Sequence, residues 1–100
     1  LGKSAFVQGA SGIAIGEEAT VPSGATNGIA IGNSSDATVS GAVAIGEGVQ
    51  ATTIDTATVK LLQIANYASM SFADDTAAAA GGIPLGGVYH TSGALKIRIA

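Results

Sequence analysis

Apolar and polar residues alternate in short bursts along the first half of the chain, and the same burst recurs. Ile13-Ala14-Ile15, Ile29-Ala30-Ile31 and Val43-Ala44-Ile45 are each closed by a glycine, at Gly16, Gly32 and Gly46. Those glycines lie 16 and 14 residues apart, and Gly2, 14 residues before Gly16, closes an incomplete earlier copy. A second phrase fills the intervals: Ala5-Phe6-Val7-Gln8-Gly9, Ala19-Thr20-Val21-Pro22-Ser23-Gly24 and Ala37-Thr38-Val39-Ser40-Gly41. Alternation over three residues predicts a strand with its two large aliphatics on one face and its alanine on the other. Glycine at fixed positions predicts turns, and self-similarity at a fixed period predicts a stacked repeat.

Strands this short do not make a stable hairpin alone. Stacked on identical neighbours about 4.8 Å away, they complete one another's backbone hydrogen bonds and line up their side chains. The pattern therefore predicts a β-solenoid or roll with one coil per period. Ile13, Ile15, Ile29, Ile31, Val43 and Ile45 are expected to be its buried core ladder. Ala14, Ala30 and Ala44, on the opposite face, are expected to admit a close approach by another surface and so to face a trimer partner. A coil of about 14 residues is too thin to shield both faces from water, and the second surface is most economically a symmetry mate. Asn33-Ser34-Ser35-Asp36 is expected to lengthen one turn, and Val49 stands where other copies have alanine.

These phrases, (Ser/Gly/Ala)-(Ile/Val)-Ala-Ile-Gly alternating with x-x-Ala-x-(Ala/Val)-x-Gly, resemble the head repeat of YadA-like trimeric autotransporter adhesins. The resemblance spans residues 1–51 and implies a left-handed parallel β-roll packed as a homotrimer. Because the same roll occurs in phage fibres, it implies a fold more narrowly than a biology.

Beyond residue 51 the pattern changes. No glycine occurs between Val49 and Ala80, so the roll is expected to end at residue 51. Residues 52–66 are expected to be a connecting segment, with the β-branched run Thr52–Val59 as strand. Residues 67–100 read as a small cap. Tyr67-Ala68-Ser69-Met70-Ser71-Phe72 alternates large and small residues as a half-buried strand does. Asp74-Asp75 before four alanines and Gly81-Gly82 predicts one short helix. Thr91-Ser92-Gly93 between Val88-Tyr89-His90 and residues 94–99 predicts a hairpin, with Leu95, Ile97 and Ile99 facing the core and Lys96 and Arg98 facing water. The expected fold class is mainly β: a trimeric left-handed parallel β-roll followed by a β-rich cap with one short helix. The tail, with Phe72-Ala73-Asp74-Asp75, Gly81-Gly82-Ile83-Pro84-Leu85-Gly86-Gly87 and Leu95-Lys96-Ile97-Arg98, resembles the C-terminal ends of tailed-phage structural and fibre proteins. That resemblance implies a trimeric cap closing the rod, with Ala100 as a natural C-terminus. Leu1 reads as a cut inside a repeat of a longer protein.

Composition narrows the classes. Hydrophobic residues make up 47% of the 100, glycine 15, and there is no cysteine, which excludes a disulfide scaffold and thiolate chemistry. A net charge of −3 with four basic residues, Lys3, Lys60, Lys96 and Arg98, argues against a nucleic-acid partner, which needs clustered positive charge. No apolar run is long enough to insert in a membrane. Four aromatic residues and no tryptophan leave the core to Ile, Val, Leu and Ala.

Candidate chemistry is sparse. Glu17, Glu18, Asp36 and Glu47 could form a carboxylate strip that holds a cation, but solvated turns that discourage edge pairing explain them better. His90, the sole histidine, lacks an evident nucleophile or acid partner. Asp74-Asp75 is explained by helix capping. Residues 81–87 lack the lysine of a phosphate loop, and Pro84 removes an amide donor. Tyr67, Phe72 and Tyr89 could stack on a sugar but are expected to form the cap's small core. Neither a catalytic residue, a cofactor nor a metal is expected. The expectation is a non-enzymatic phage virion fibre, head or tail, external on the particle. Its partners would be two further copies, other virion proteins and, as an extra, a host receptor or glycan. The alternative is the head of a bacterial trimeric adhesin at the cell surface, which should lead into a neck, a heptad stalk and a membrane β-barrel.

Overall fold

The computed structural model describes residues 1–100, which divide into two compact units, Leu1–Leu62 and Gln63–Ala100. In the first, strands alternate along the chain between two parallel sheets. One sheet stacks β1 (Phe6–Val7), β3 (Thr20–Val21), β5 (Asp36–Ala37) and β7 (Gln50–Ala51). The other stacks β2 (Ile13–Ile15), β4 (Ile29–Ile31), β6 (Val43–Ile45) and β8 (Ala57–Val59). Each coil gives one strand to each sheet, so the unit is a parallel β-solenoid.

Coil-to-coil hydrogen bonds run through the turns as well as the strands. The Gly32 amide donates to the Ile15 carbonyl at 2.7 Å, Gly46 to Ile31 at 2.9 Å, and Ser34 to Glu17 at 2.8 Å. Backbone groups that a short strand could not pair by itself are thereby paired with the next coil. The stacking also dictates the closing glycines. Gly16 and Gly32 adopt φ of +126° and +131°, and a Cβ on either would lie 2.7 Å from the backbone of the next closing glycine. No side chain fits there.

The interior is lined by Ala14, Ala30 and Ala44 from one sheet and Val21, Ala37 and Ala51 from the other, closed by residues such as Ala19 and Val49 at the turns. Ser35, fully buried among them, donates its hydroxyl to the Gly32 carbonyl at 2.8 Å. This arrangement corrects the expected core. Ile13, Ile15, Ile29, Ile31, Val43 and Ile45 point outward, with Ile13 47% and Ile45 43% exposed, whereas the alanines between them are at most 5% exposed. The two walls of such a coil stand too close for isoleucines to fill the gap. Alternation groups residues onto faces without saying which face turns inward.

Two boundaries also differ from expectation. Asn33 to Ser35 make a regular turn, and the longer excursion is at Pro22 to Ala25: Thr20 pairs with Asp36 and Asp36 with Gln50, so Asp36-Ala37, and not Thr38-Val39, takes the rung of Thr20-Val21. The solenoid also runs past residue 51, because Ala57–Val59 pairs in register with Val43–Ile45 as a fourth rung without any glycine. Asp55 takes the left-handed turn conformation there (φ 54°), as Ser11 and Asn27 do in earlier coils. Its amide donates to the Ser40 carbonyl of the preceding coil.

In the second unit, Asp74 caps α1 (Asp75–Ala80) by accepting the Ala77 amide at 2.9 Å. The strands β9 (Val88–Thr91) and β10 (Ala94–Ile97) form an antiparallel hairpin around Ser92 and Gly93, both at positive φ. The strand expected at Tyr67 is instead a 3-10 turn, Tyr67–Met70, and only Ser71 bridges β9, opposite His90. The curl sets the Tyr67 ring flat against the His90 imidazole, centroids 4.0 Å apart. Leu95, Ile97 and Ile99 are also corrected: each is more than half exposed. Tyr89, from the neighbouring strand, is buried instead, with Phe72 packed edge-on against its ring.

Gly32→Ala should lower solenoid stability by more than about 2 kcal/mol, since the conformation excludes side chains and the clash is with backbone. Ala30→Leu should cost about 1–3 kcal/mol by overpacking the coil. Thermal melts followed by far-UV dichroism test both.

Candidate functional site

The outward face of the β2-β4-β6-β8 sheet carries two parallel aliphatic columns. Ile13, Ile29, Val43 and Ala57 form one, and Ile15, Ile31, Ile45 and Val59 the other. In-register pairing aligns the rungs at the strand spacing of about 4.8 Å. The branched residues suit a pleated surface and carry no polar atom, so the face offers shape and apolar area with no hydrogen-bonding group. The outward face of the other sheet differs: its column reads Phe6, Thr20, Asp36 and Gln50, largely polar.

The expected trimer-facing residues Ala14, Ala30 and Ala44 are corrected here. Their side chains are buried within their own coil, so no second chain reaches them. The aliphatics expected to be core lie on the outer face instead, Ile13, Ile15 and Ile45 exposed and Ile29, Ile31 and Val43 partly so.

Asp36, expected in a solvated turn, lies in β5 instead. Its Oδ1 is buried with no hydrogen-bond partner, and burial raises its pKa above the ordinary 3.8. Standing between Thr20 and Gln50, it breaks an otherwise neutral polar column, a signal legible once the strands are aligned. The remaining candidates are scattered. Glu47 meets Lys60 at 3.6 Å with both side chains largely in water, a pair worth little. Glu17 and Glu18 are exposed in their turn. No group of three His, Cys, Asp or Glu side chains converges as a metal site would require, and the surface holds no enclosed cavity. No helix is long and apolar enough to cross a membrane.

In the second unit the polar groups are engaged with backbone. His90 Nδ1 accepts the Gly93 amide at 3.1 Å, which leaves Nε2 to donate to the Tyr67 carbonyl at 2.9 Å. Thr91 donates its hydroxyl to the Phe72 carbonyl at 2.6 Å. Gly82 and Gly86, at positive φ, turn the 81–87 connection as residues of a tight link do. Phe72 and Tyr89 pack together, while Tyr67 lies apart on His90 and is half exposed.

These observations define a class: a parallel β-solenoid with an alanine interior and one apolar outer face, joined to a small α/β hairpin unit. No protein-family model, curated protein or solved structure matches the chain.

Asp36→Asn should raise the melting temperature at pH 7, because the folded state no longer holds a desolvated charge. A raised folded pKa means wild type regains this loss as pH falls through that pKa. The melting curves of the two proteins should therefore converge in acid.

Proposed function

We propose that the chain is a non-enzymatic structural fibre protein of a phage virion, in which three copies form a rod through the aliphatic face of the solenoid. The observation that carries this reading is the pair of outward-facing aliphatic columns, exposed to partly exposed and unbroken over the four rungs of one sheet. An apolar face of this kind on a small unit marks an interaction surface. Its partner must be apolar and must repeat at the same rise to match it rung for rung, and identical coils do both. The likeness of the repeats to YadA-like head repeats supports a left-handed roll and a threefold assembly. The likeness of residues 72–98 to phage fibre ends supports an external position on the particle, in head or tail, with other virion proteins as neighbours and a host receptor or glycan as a further contact.

The non-enzymatic reading is supported by how the titratable groups are used. The one histidine has both ring nitrogens on backbone groups, and Asp74 is committed to a helix cap. The roll repeats by themselves equally favour a bacterial adhesin head, and immunodetection on purified particles against cell surfaces separates the two.

Sedimentation should give the mass of three chains. Ile31→Asp, which puts a charge in the middle of the face while leaving the alanine interior intact, should give single chains that keep their β dichroism. A wild-type monomer, or an Ile31→Asp trimer of unchanged melting, overturns the reading.

A further inference from the structure

Asp75, in the first turn of α1, gathers three donors. Its Oδ1 accepts the Tyr89 hydroxyl at 2.5 Å, and its Oδ2 accepts the amides of Ile99 and Ala100 at 2.9 and 3.0 Å. Ile99 and Ala100 lie beyond the end of β10, where no sheet partner holds them. The neighbouring Arg98 strengthens the same junction. Its amide donates to the Gly87 carbonyl, its carbonyl accepts the Gly86 amide, and its guanidinium donates to the Ile83 carbonyl at 3.0 Å. One carboxylate thus ties the start of the helix to the middle of β9 and to the segment that leaves β10.

We propose that Asp75 is an acid-released clasp that fastens residues 98–100 and the β9-β10 hairpin to α1, so that the Gln63–Ala100 unit opens in acid while the solenoid stays closed. All three partners of the carboxylate are donors, so a proton arriving on Asp75 removes an acceptor and sets a fourth hydrogen among them. The other charged and titratable groups around the clasp are few. Asp74 is occupied by the Ala77 amide, Lys96 is paired with Tyr89 across the hairpin, and Arg98 lies in the fastened segment. His90, next to Tyr89 in β9, turns its nitrogens to Tyr67 and Gly93 instead.

The titration behaviour agrees in sign. The Tyr89 hydroxyl, followed by the Ile99 amide, holds Asp75 below its ordinary 3.8, and Asp75 in turn pushes Tyr89 up to about 12. A depressed carboxyl pKa means the clasp's contribution is present above 3.8 and is lost as pH falls through the folded value. A raised tyrosine pKa means its share is present below 10 and is lost as pH rises towards 12. Asp36 has the opposite sign, so its protonation in acid does not weaken the solenoid.

Both tyrosines of the chain lie in the second unit, so near-UV tyrosine dichroism reports that unit, and far-UV dichroism reports the β structure as a whole. On acid titration of the full chain, the Ile99 and Ala100 amide resonances, the Asp75 carboxyl carbon and the tyrosine dichroism should move together, with one midpoint below 3.8. Most of the far-UV β signal should survive that transition. In Tyr89→Phe, which keeps the carboxylate and loses one donor, the midpoint should shift upward; in Asp75→Asn the two amide resonances should no longer titrate. Amides of Ile99 and Ala100 that ignore the Asp75 titration, or loss of both units in a single transition, overturn the proposal. Should Asp75→Asn fail to fold, the Tyr89→Phe shift decides.

Discussion

The close stacking of one coil on the next, at about the 4.8 Å of parallel strands, governs the rest of the first unit. It forces the backbones of Gly16, Gly32 and Gly46 so near one another that a single carbon between them has no room. It also brings the two strands of each coil close enough that alanine, with an occasional valine or serine, fills the space. A core of this kind removes little apolar surface per residue, and cohesion falls to the ladder of hydrogen bonds that joins every coil to its neighbour.

The larger aliphatics are left outside by the same constraint. In most small domains isoleucine fills the centre; here the isoleucines of β2, β4 and β6 tile the outer face of one sheet, while the outward face of the other is largely polar. Hydrogen bonds from coil to coil hold the stack, and on the proposed reading the outer aliphatics would supply the contact between chains.

The second unit solves a different problem. It has under about 40 residues, a size at which an apolar core alone seldom suffices, and its buried large residues reduce mainly to Tyr89. Side-chain bonds to backbone take over: His90 joins the 3-10 turn to the hairpin, Thr91 holds the Phe72 carbonyl, and Asp75 holds the strand's continuation. The bonds to the Asp75 carboxylate are charge-assisted, strong but dependent on protonation. The two carboxylates are shifted in opposite directions, Asp36 upward by burial and Asp75 downward by the donors around it.

The repeat, the strand phrases, the turns at glycine, the helix after Asp74 and the hairpin at Ser92-Gly93 could all be read from spacing and residue type, because each depends on local conformation and on periodicity. The fourth rung was hidden because Lys60 follows Ala57–Val59 where each earlier rung has its closing glycine, and the second strand phrase was misaligned because the two extra residues sit at Pro22 to Ala25. Which face of Ile-Ala-Ile turns inward was not written in the alternation, since a period of two is satisfied either way. That choice rests on the distance between the two walls of the coil, a property that exists only once the chain has closed on itself. The convergence of Tyr89, Ile99 and Ala100 on Asp75 is likewise tertiary, for it joins groups 14 to 25 residues apart that share no local pattern.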